Sequence, residues 1–409
     1  MDKRLVPPEG LRAGLTRRQL LQRSAFGAVS LGAGFSLLAC GDDDDAAETT
    51  GTTAAPSGST TEAGSEPAGG TQKLTELSSF PGPQFSNAFG YVTEELGFYT
   101  DEGIDYTIEY PGSTVKTVQT LVAGATGVGW QDVFGILVAN SQGFGLKAIY
   151  RTRQGSSFGF AVPPGSPITA WEAEQIRGKK LGISEFGGGE VPVLRGALFR
   201  LGLTEGTDFE LVPVGEGGPD TVEALESGTV QLMAGSTIDF SAIIKAGVPL
   251  TVISPDYIKD FPGHTYATTP ELLEENHDLL VGFLRARTKG LIFGTNNLPA
   301  AAQIAMDYAP ASAEGLTQQD IEEYLQNVWV ASNEEYLTAA EGGELTFGTQ
   351  HPEHWEDYQN FLVEAGVEDE GASLTEKQNI DEIVTNELIE EVNDFDYDEV
   401  VQMAKDYTP

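Results

Sequence analysis

The sequence predicts an α/β fold of two lobes, each a mainly parallel sheet flanked by helices, and three observations carry that prediction. Short strand-like runs alternate with helical stretches of roughly ten to fifteen residues, the rhythm of βαβ units. The same rhythm restarts at Lys180. A chain of 409 residues also exceeds what a single hydrophobic core normally holds, so a division into two is expected.

Residues 73–77 read as the first strand and 78–83 as a loop. A helical stretch over 87–98 carries Phe89, Val92 and Leu96 at helical spacing. Residues 103–110 alternate apolar with polar, the signature of a half-buried strand, and Pro111-Gly112-Ser113-Thr114 ends it. A helix over 115–123, a strand over 127–130, a helix reaching Asn140 and a strand over 146–150 complete the first unit. In the second, 180–184 is a strand, and Gly187-Gly188-Gly189 leads into a helix over 191–201. Residues 209–214 form the next strand, 221–227 the next helix, and 230–233, 238–246 and 250–253 finish the unit. From Pro270 onward the chain is almost wholly helical, over 271–273, 278–293, 300–308, 318–328, 353–365, 381–392 and 399–405. No fixed-period repeat is present.

The chain carries 62 acidic against 23 basic side chains and a net charge of −39. Such a field excludes nucleic acid, which needs clustered Lys and Arg, and argues against docking on anionic lipid. Acidity of this kind suits a solvated surface or a basic partner protein. The only cysteine is Cys40. It follows Arg17-Arg18 and a bland apolar run over 25–39 that is too short for a membrane-crossing helix, which needs roughly 20 residues. This segment resembles a twin-arginine lipoprotein signal whose lipobox ends at Cys40, the residue then acylated, as with palmitate. The resemblance implies export, and membrane anchorage by lipid at Cys40. Residues 41–71, Asp-rich and then Gly/Ser/Thr/Ala-rich, read as a disordered tether with a reach of roughly 30 Å.

Enzyme signatures are weak. No Gly-x-Ser-x-Gly, His-Glu-x-x-His or phosphate-loop pattern occurs. Gly124-Ala125-Thr126-Gly127-Val128-Gly129 mimics a dinucleotide fingerprint but follows a helix rather than a strand. Of the four histidines, His351 and His354 are three apart in an acidic region and read as surface residues rather than metal ligands. With Cys40 spent on lipid, no thiol remains for catalysis, and no cofactor or metal is expected.

Several ordered runs resemble one family. They are residues 90–106 (Gly-Tyr-Val-Thr-Glu-Glu-Leu-Gly-Phe-Tyr-Thr-Asp-Glu-Gly-Ile-Asp-Tyr), Leu121-Val122-Ala123-Gly124, 137–149, 176–183 and Thr385-Asn386-Glu387-Leu388-Ile389. Together they are similar to the substrate-binding proteins of ABC importers for sulfonates, nitrate and thiamine pyrimidine precursors. The likeness covers roughly residues 73–405. It implies the type II periplasmic-binding-protein-like fold. The first lobe would comprise 72–160 and return over 252–409 with its helical C-terminus packed upon it. The second lobe would be 161–251, with crossovers near 158–162 and 251–253. The implied role is non-enzymatic capture of a small ligand for a membrane permease by a monomer. An exported enzyme of the same architecture is the alternative.

Ligands of open parallel sheets bind beyond the carboxyl ends of the strands. That places candidate binding residues at Phe80, Phe85, Asn87, Tyr110, Ser113, Thr114, Trp130 and Asp132 in the first lobe. Ser184, Phe186, Gly187, Glu190 and Asp239 are the candidates in the second. The aromatic residues would stack on a heteroaromatic ring resembling a thiamine pyrimidine precursor, and the carboxylates would accept hydrogen bonds from ring amines. The two Gly-rich turns would offer backbone N–H groups. A sulfonate or nitrate ligand would instead need a cation, with Arg151, Arg153 and Arg195 available.

Overall fold

Ten principal strands assemble into two five-stranded sheets in the computed structural model, which describes residues 71–408 apart from 81, 125–126 and 370–371. The signal, Cys40 and nearly all of the tether lie outside the described residues. In chain order the strands are β1 (Gln72–Ser78), β2 (Ile104–Glu109), β3 (Gly127–Gln131), β4 (Lys147–Arg151) and β5 (Phe158–Val162). They continue as β6 (Lys179–Ile183), β7 (Phe209–Pro213), β8 (Leu232–Ser236), β9 (Thr251–Val252) and β10 (Thr265–Thr268).

The first sheet has the order β2-β1-β3-β10-β4. β1 pairs in parallel with both β2 and β3, while β10 runs antiparallel between β3 and β4. The second sheet, β7-β6-β8-β5-β9, keeps β6 parallel to β7 and β8 and sets β5 antiparallel to β8 and β9. The chain therefore passes from one sheet to the other through residues 152–157 and returns through 253–264.

Helices α1 (Ala88–Glu95), α2 (Phe98–Asp101), α3 (Thr114–Val122) and α4 (Val133–Ser141) connect the strands of the first sheet. Those of the second are α5 (Ala173–Ile176), α6 (Glu190–Arg200), α7 (Pro219–Glu226) and α8 (Thr237–Lys245). The C-terminal helices are α9 (Pro270–Glu275), α10 (His277–Asn296), α11 (Leu298–Tyr308), α12 (Gln318–Tyr324), α13 (Glu334–Glu341), α14 (Pro352–Ala365), α15 (Ile389–Val392) and α16 (Tyr397–Asp406). Among the described residues no helix is long and apolar enough to cross a membrane.

One hydrophobic core joins Leu74, Val128 and Tyr266 of the first sheet to α1 and the long helix α10. A second is continuous across both sheets: Leu77 and Ala148 share it with Leu181, Leu194 and Phe160, and Trp355 and Phe361 of α14 close it. A third packs Val214, Leu225 and Ile243 within the second lobe. Helix α10 crosses α1 closely because Gly282, Ala286, Gly290 and Gly294 recur every fourth position and form a low ridge. A Cβ on Gly290 would collide with Thr93 Oγ1 and stand 2.7 Å from the Phe89 carbonyl oxygen.

Several expectations are corrected. The helix expected over 87–98 breaks at Gly97, whose φ of 76° an L side chain adopts only with strain. The helix expected over 318–328 passes into a π turn, Leu325–Val330. Residues 381–392 are not one helix: Ala148 donates to the Ile383 carbonyl and Thr385 to the Ala148 carbonyl, so this segment pairs with the outer edge of β4. Strand β10 and helix α13 carried no expectation. The C-terminal helices also do more than cover the first lobe. α14 packs on α6 of the second, where Gly196 leaves room for the Phe361 ring.

Gly290→Ala is expected to destabilise the fold by about 1–3 kcal/mol through overpacking, read as a lower urea midpoint with an unchanged slope. An unchanged midpoint would show that α1 can shift freely on α10.

Candidate functional site

The carboxyl ends of the two sheets face the crossing segments, and aromatic side chains collect there. Trp130, near the end of β3, stacks on His264 with ring centroids 4.2 Å apart and planes 14° from parallel. Phe80 leans against Trp130 at 5.4 Å, and Phe158 of the second lobe approaches His264 at 5.9 Å. The indole Nε1–H donates to Thr152 Oγ1 (3.2 Å), whose own hydroxyl donates to the His264 carbonyl (2.8 Å). The first sheet, the second sheet and both crossing segments thus meet at one shelf.

His264 is half-buried, and desolvation together with the charge of Arg153 holds its imidazole down to about 3, neutral at physiological pH. Ser157 Oγ lies 2.7 Å from His264 Nδ1 and accepts from Arg153 Nε at 3.1 Å. The serine proton is therefore free to go to Nδ1, which assigns the imidazole proton to Nε2.

Two narrow cavities flank this shelf. The first, about 380 Å³ including space open to solvent, is lined by Asn87, Gly90, Thr152, Tyr266, Arg287 and Trp329, among others. Arg287 donates to Asn87 Oδ1 (3.2 Å) and lies over the Tyr266 ring at 5.6 Å, while its Nη1 is buried without a hydrogen-bond partner. Glu76, 2% exposed, accepts from the Tyr106 and Tyr266 hydroxyls at 2.8 and 3.1 Å and interacts electrostatically with this guanidinium. The second cavity, about 260 Å³ on the same measure, is lined by Asp132, Ser157, Phe158, Val193 and Tyr358. An ion pair between Lys245 of α8 and Asp320 of α12, 2.5 Å long, ties the second lobe to the C-terminal helices.

The expected site residues divide. Phe80 and Trp130 form the shelf and Asn87 lines the first cavity. Asp132 reaches the second cavity, but its carboxylate caps α4 at Gly135 N (3.0 Å) and accepts from Thr114 Oγ1 (2.8 Å). Ser113 caps α3 at Lys116 N. Asp239 and Ser236 cap α8 reciprocally. Phe85 packs edge-on against Tyr324 at 5.1 Å. Tyr110 sits by Tyr91, and burial pushes its hydroxyl pKa well up. Phe186 stands 42% exposed with Arg195 over its ring, beyond the shelf's contacts, and Gly187 turns at φ 86°.

Glu190 begins α6 from a buried position and accepts from the Ser184 backbone N–H (2.9 Å) and from the Ser184 hydroxyl. Burial lifts its carboxyl to about 7 and also raises Asp239 nearby. The rim of the second lobe therefore presents carboxyl groups reluctant to ionise. His351 and His354 stand 5.2 Å apart by ring centroids, and among the described residues no group of three or more metal-ligating side chains forms.

Residues that sequence reasoning did not place at the site are Thr152, Ser157, His264, Arg287 and Trp329. All reach it through contacts distant in the chain. The order of strands, which puts β10 beside β3, brings His264 under Trp130.

A family model described as NMT1/THI5 like matches residues 84–302. The riboflavin-binding protein RibY of Chloroflexus aurantiacus is 24% identical over 324 residues, 78% of this chain and 86% of that protein. The formylaminopyrimidine-binding protein of Halalkalibacterium halodurans is 23% identical over 289 residues, 68% of this chain and 82% of that one. Among solved structures, the periplasmic nitrate-binding protein NrtA of Synechocystis PCC 6803 superposes with a TM-score of 0.55 at 13% identity. It covers 79% of this chain and 88% of its own. The fold is that of periplasmic binding proteins.

Because Glu190 titrates near 7 when folded and near 4.5 when exposed, the folded chain binds a proton between those values that the unfolded chain releases. The stability this proton provides is complete below about 4.5 and is lost as pH rises through about 7. Glu190→Gln should therefore gain on the wild type by about 3 kcal/mol between pH 4.5 and 8, at about 1.4 kcal/mol per pKa unit. Urea unfolding at both pH values checks this, and a constant difference would contradict it.

Proposed function

The chain belongs to the NMT1/THI5-like family, and on that premise we propose that it is the extracytoplasmic solute-binding component of an ABC importer. It captures a small heteroaromatic ligand between two lobes, divided near residues 160 and 252, and delivers it to a membrane permease without chemistry of its own. In this reading the chain is exported by the twin-arginine route, is held to the membrane by lipid at Cys40, and works as a monomer. The observation that carries it is the Phe80–Trp130–His264 shelf at the carboxyl ends of the strands, an aromatic surface of the kind on which a planar ring stacks. RibY and the formylaminopyrimidine-binding protein are by name receptors for nitrogen heterocycles, which supports a ligand of that class resembling a thiamine pyrimidine precursor.

Binding energy would come from lobe closure, because a ligand that touches both lobes favours the closed state over the open one. A second reading, a small anion such as nitrate or an aliphatic sulfonate, is favoured by Arg153, which is buried beside the shelf. The relatives carry binding names rather than enzyme names, which supports a receptor over an exported enzyme.

Thermal denaturation with riboflavin, aminopyrimidines, nitrate and methanesulfonate tests the proposal. A heterocycle at a hundredfold excess over its Kd should stabilise the fold by about 2.7 kcal/mol. It should be recovered unchanged after incubation. Trp130→Ala should weaken it at least tenfold. Conversion of the added compound, or an unaltered affinity in Trp130→Ala, would sink the proposal.

A further inference from the structure

The segment that leaves the first sheet after β4 carries a buried cation, Arg153, whose guanidinium has only neutral hydrogen-bond partners. Arg153 is 5% exposed. Its Nε donates to Ser157 Oγ at 3.1 Å, its Nη1 lies 3.4 Å from Thr237 Oγ1 at the start of α8, and its guanidinium stands 6.0 Å from the centre of the Trp329 ring. His264, linked through Ser157, is neutral. Among the described residues no carboxylate comes within ion-pair distance of Arg153.

Several other cations of this chain have carboxylate partners. Arg285 and Lys289 share Glu102 at 2.9 Å each, Arg195 pairs with Glu205 at 2.8 Å, and Arg177 pairs with Asp208. With 62 acidic side chains against 23 basic ones, a missing carboxylate at Arg153 does not come from scarcity. A buried charge without a counter-charge is costly, and such a cost persists where a charged partner arrives later.

Two further features converge on the same place. Tyr324 of α12 holds its hydroxyl buried beside Ser86 and Trp329 with no hydrogen bond of acceptable geometry, and it interacts electrostatically with Arg153. Ser157 lines one cavity and Trp329 the other, and the guanidinium bonds the first and lies 6.0 Å from the ring centre of the second, one residue behind each lining. It is also the point where a crossing segment touches the second lobe, at Thr237.

We infer that the ligand carries an anionic group and that Arg153 receives it, with the Tyr324 hydroxyl as a second donor. The inference rests on the solute-binding reading above and narrows it: the cargo is a heterocyclic acid, bearing a carboxylate, sulfonate or phosphate, rather than a neutral amine. Arg153 acts as a specificity-determining residue. The ring rests at the aromatic shelf, and the anion reaches inward to the junction of the lobes, where its charge rewards closure.

Isothermal titration of the full chain against matched pairs separates the possibilities: uracil with orotate, and riboflavin with riboflavin 5′-phosphate. The wild type should take the acid of at least one pair tenfold or more tightly than its neutral partner. Arg153→Met should lose that discrimination, the acid's affinity falling at least tenfold more than the neutral partner's. Its ligand-free melting temperature should stay level or rise, since an uncompensated buried charge has been removed. Arg153→Lys should retain part of the preference. Equal affinity for acid and neutral partner in the wild type would overturn the inference and leave the receptor reading intact. A fall in the ligand-free melting temperature of Arg153→Met, with both partners weakened alike, would make Arg153 a structural residue. Failure of all four compounds to bind would count against the receptor reading and this inference together.

Discussion

The structure depends on how closely its two crossing segments approach one another. Residues 152–157 leave the first sheet as 253–264 return to it, and the two are tied by backbone and side chain. Thr152 donates to the His264 carbonyl through its N–H at 3.1 Å and its hydroxyl at 2.8 Å, and Ser254 Oγ accepts from Phe160 N at 2.7 Å. A Cβ on Gly263 would stand 2.6 Å from the Gly155 carbonyl oxygen, and Gly155 itself adopts φ 70°, so glycine is required on both sides. A double strand of this kind can bend where it is thin without letting the lobes separate.

From that constraint the site follows. The crossing holds His264 against Trp130 and Ser157 against Arg153, so the polar and stacking groups of the shelf are fixed by the hinge rather than by either lobe alone. Helix α14 adds a second limit, since Trp355 and Phe361 belong to a core that runs under both sheets. On the cleft side Lys245 of α8 pairs with Asp320 of α12, and Ile238 of α8 packs on the first core. A partly exposed pair of this sort contributes on the order of 1 kcal/mol or less.

Much of the fold was legible because strands of open sheets advertise themselves by alternation and by their glycine turns, as in Ile104–Glu109 and Lys179–Ile183. What failed was decided by distant partners. Thr265–Thr268 is only four residues long, and its place between β3 and β4 has no local signature. Residues 381–392 have helical patterning, yet the open edge of β4 captures part of them. The site divided likewise. Trp130 was accessible to reasoning because strand ends host ligands, whereas Asp132 and Asp239 serve as caps, the commoner use of Asp at a helix start. Arg153 was one of three arginines available to an anion and was set apart only by its burial without a carboxylate, and Trp329 emerged only once the π turn placed it over the cavity.

Distances between α8 and α12 test the two-lobed receptor most directly. Spin labels at Ala242→Cys and Glu323→Cys, in a chain with Cys40→Ser, report the gap bridged by Lys245 and Asp320. The account predicts a broad distribution for the free protein that collapses to one short distance when a compound that raises the melting temperature is added. A distribution that such a compound leaves unchanged would mean that the lobes do not close on their guest, and would contradict the account.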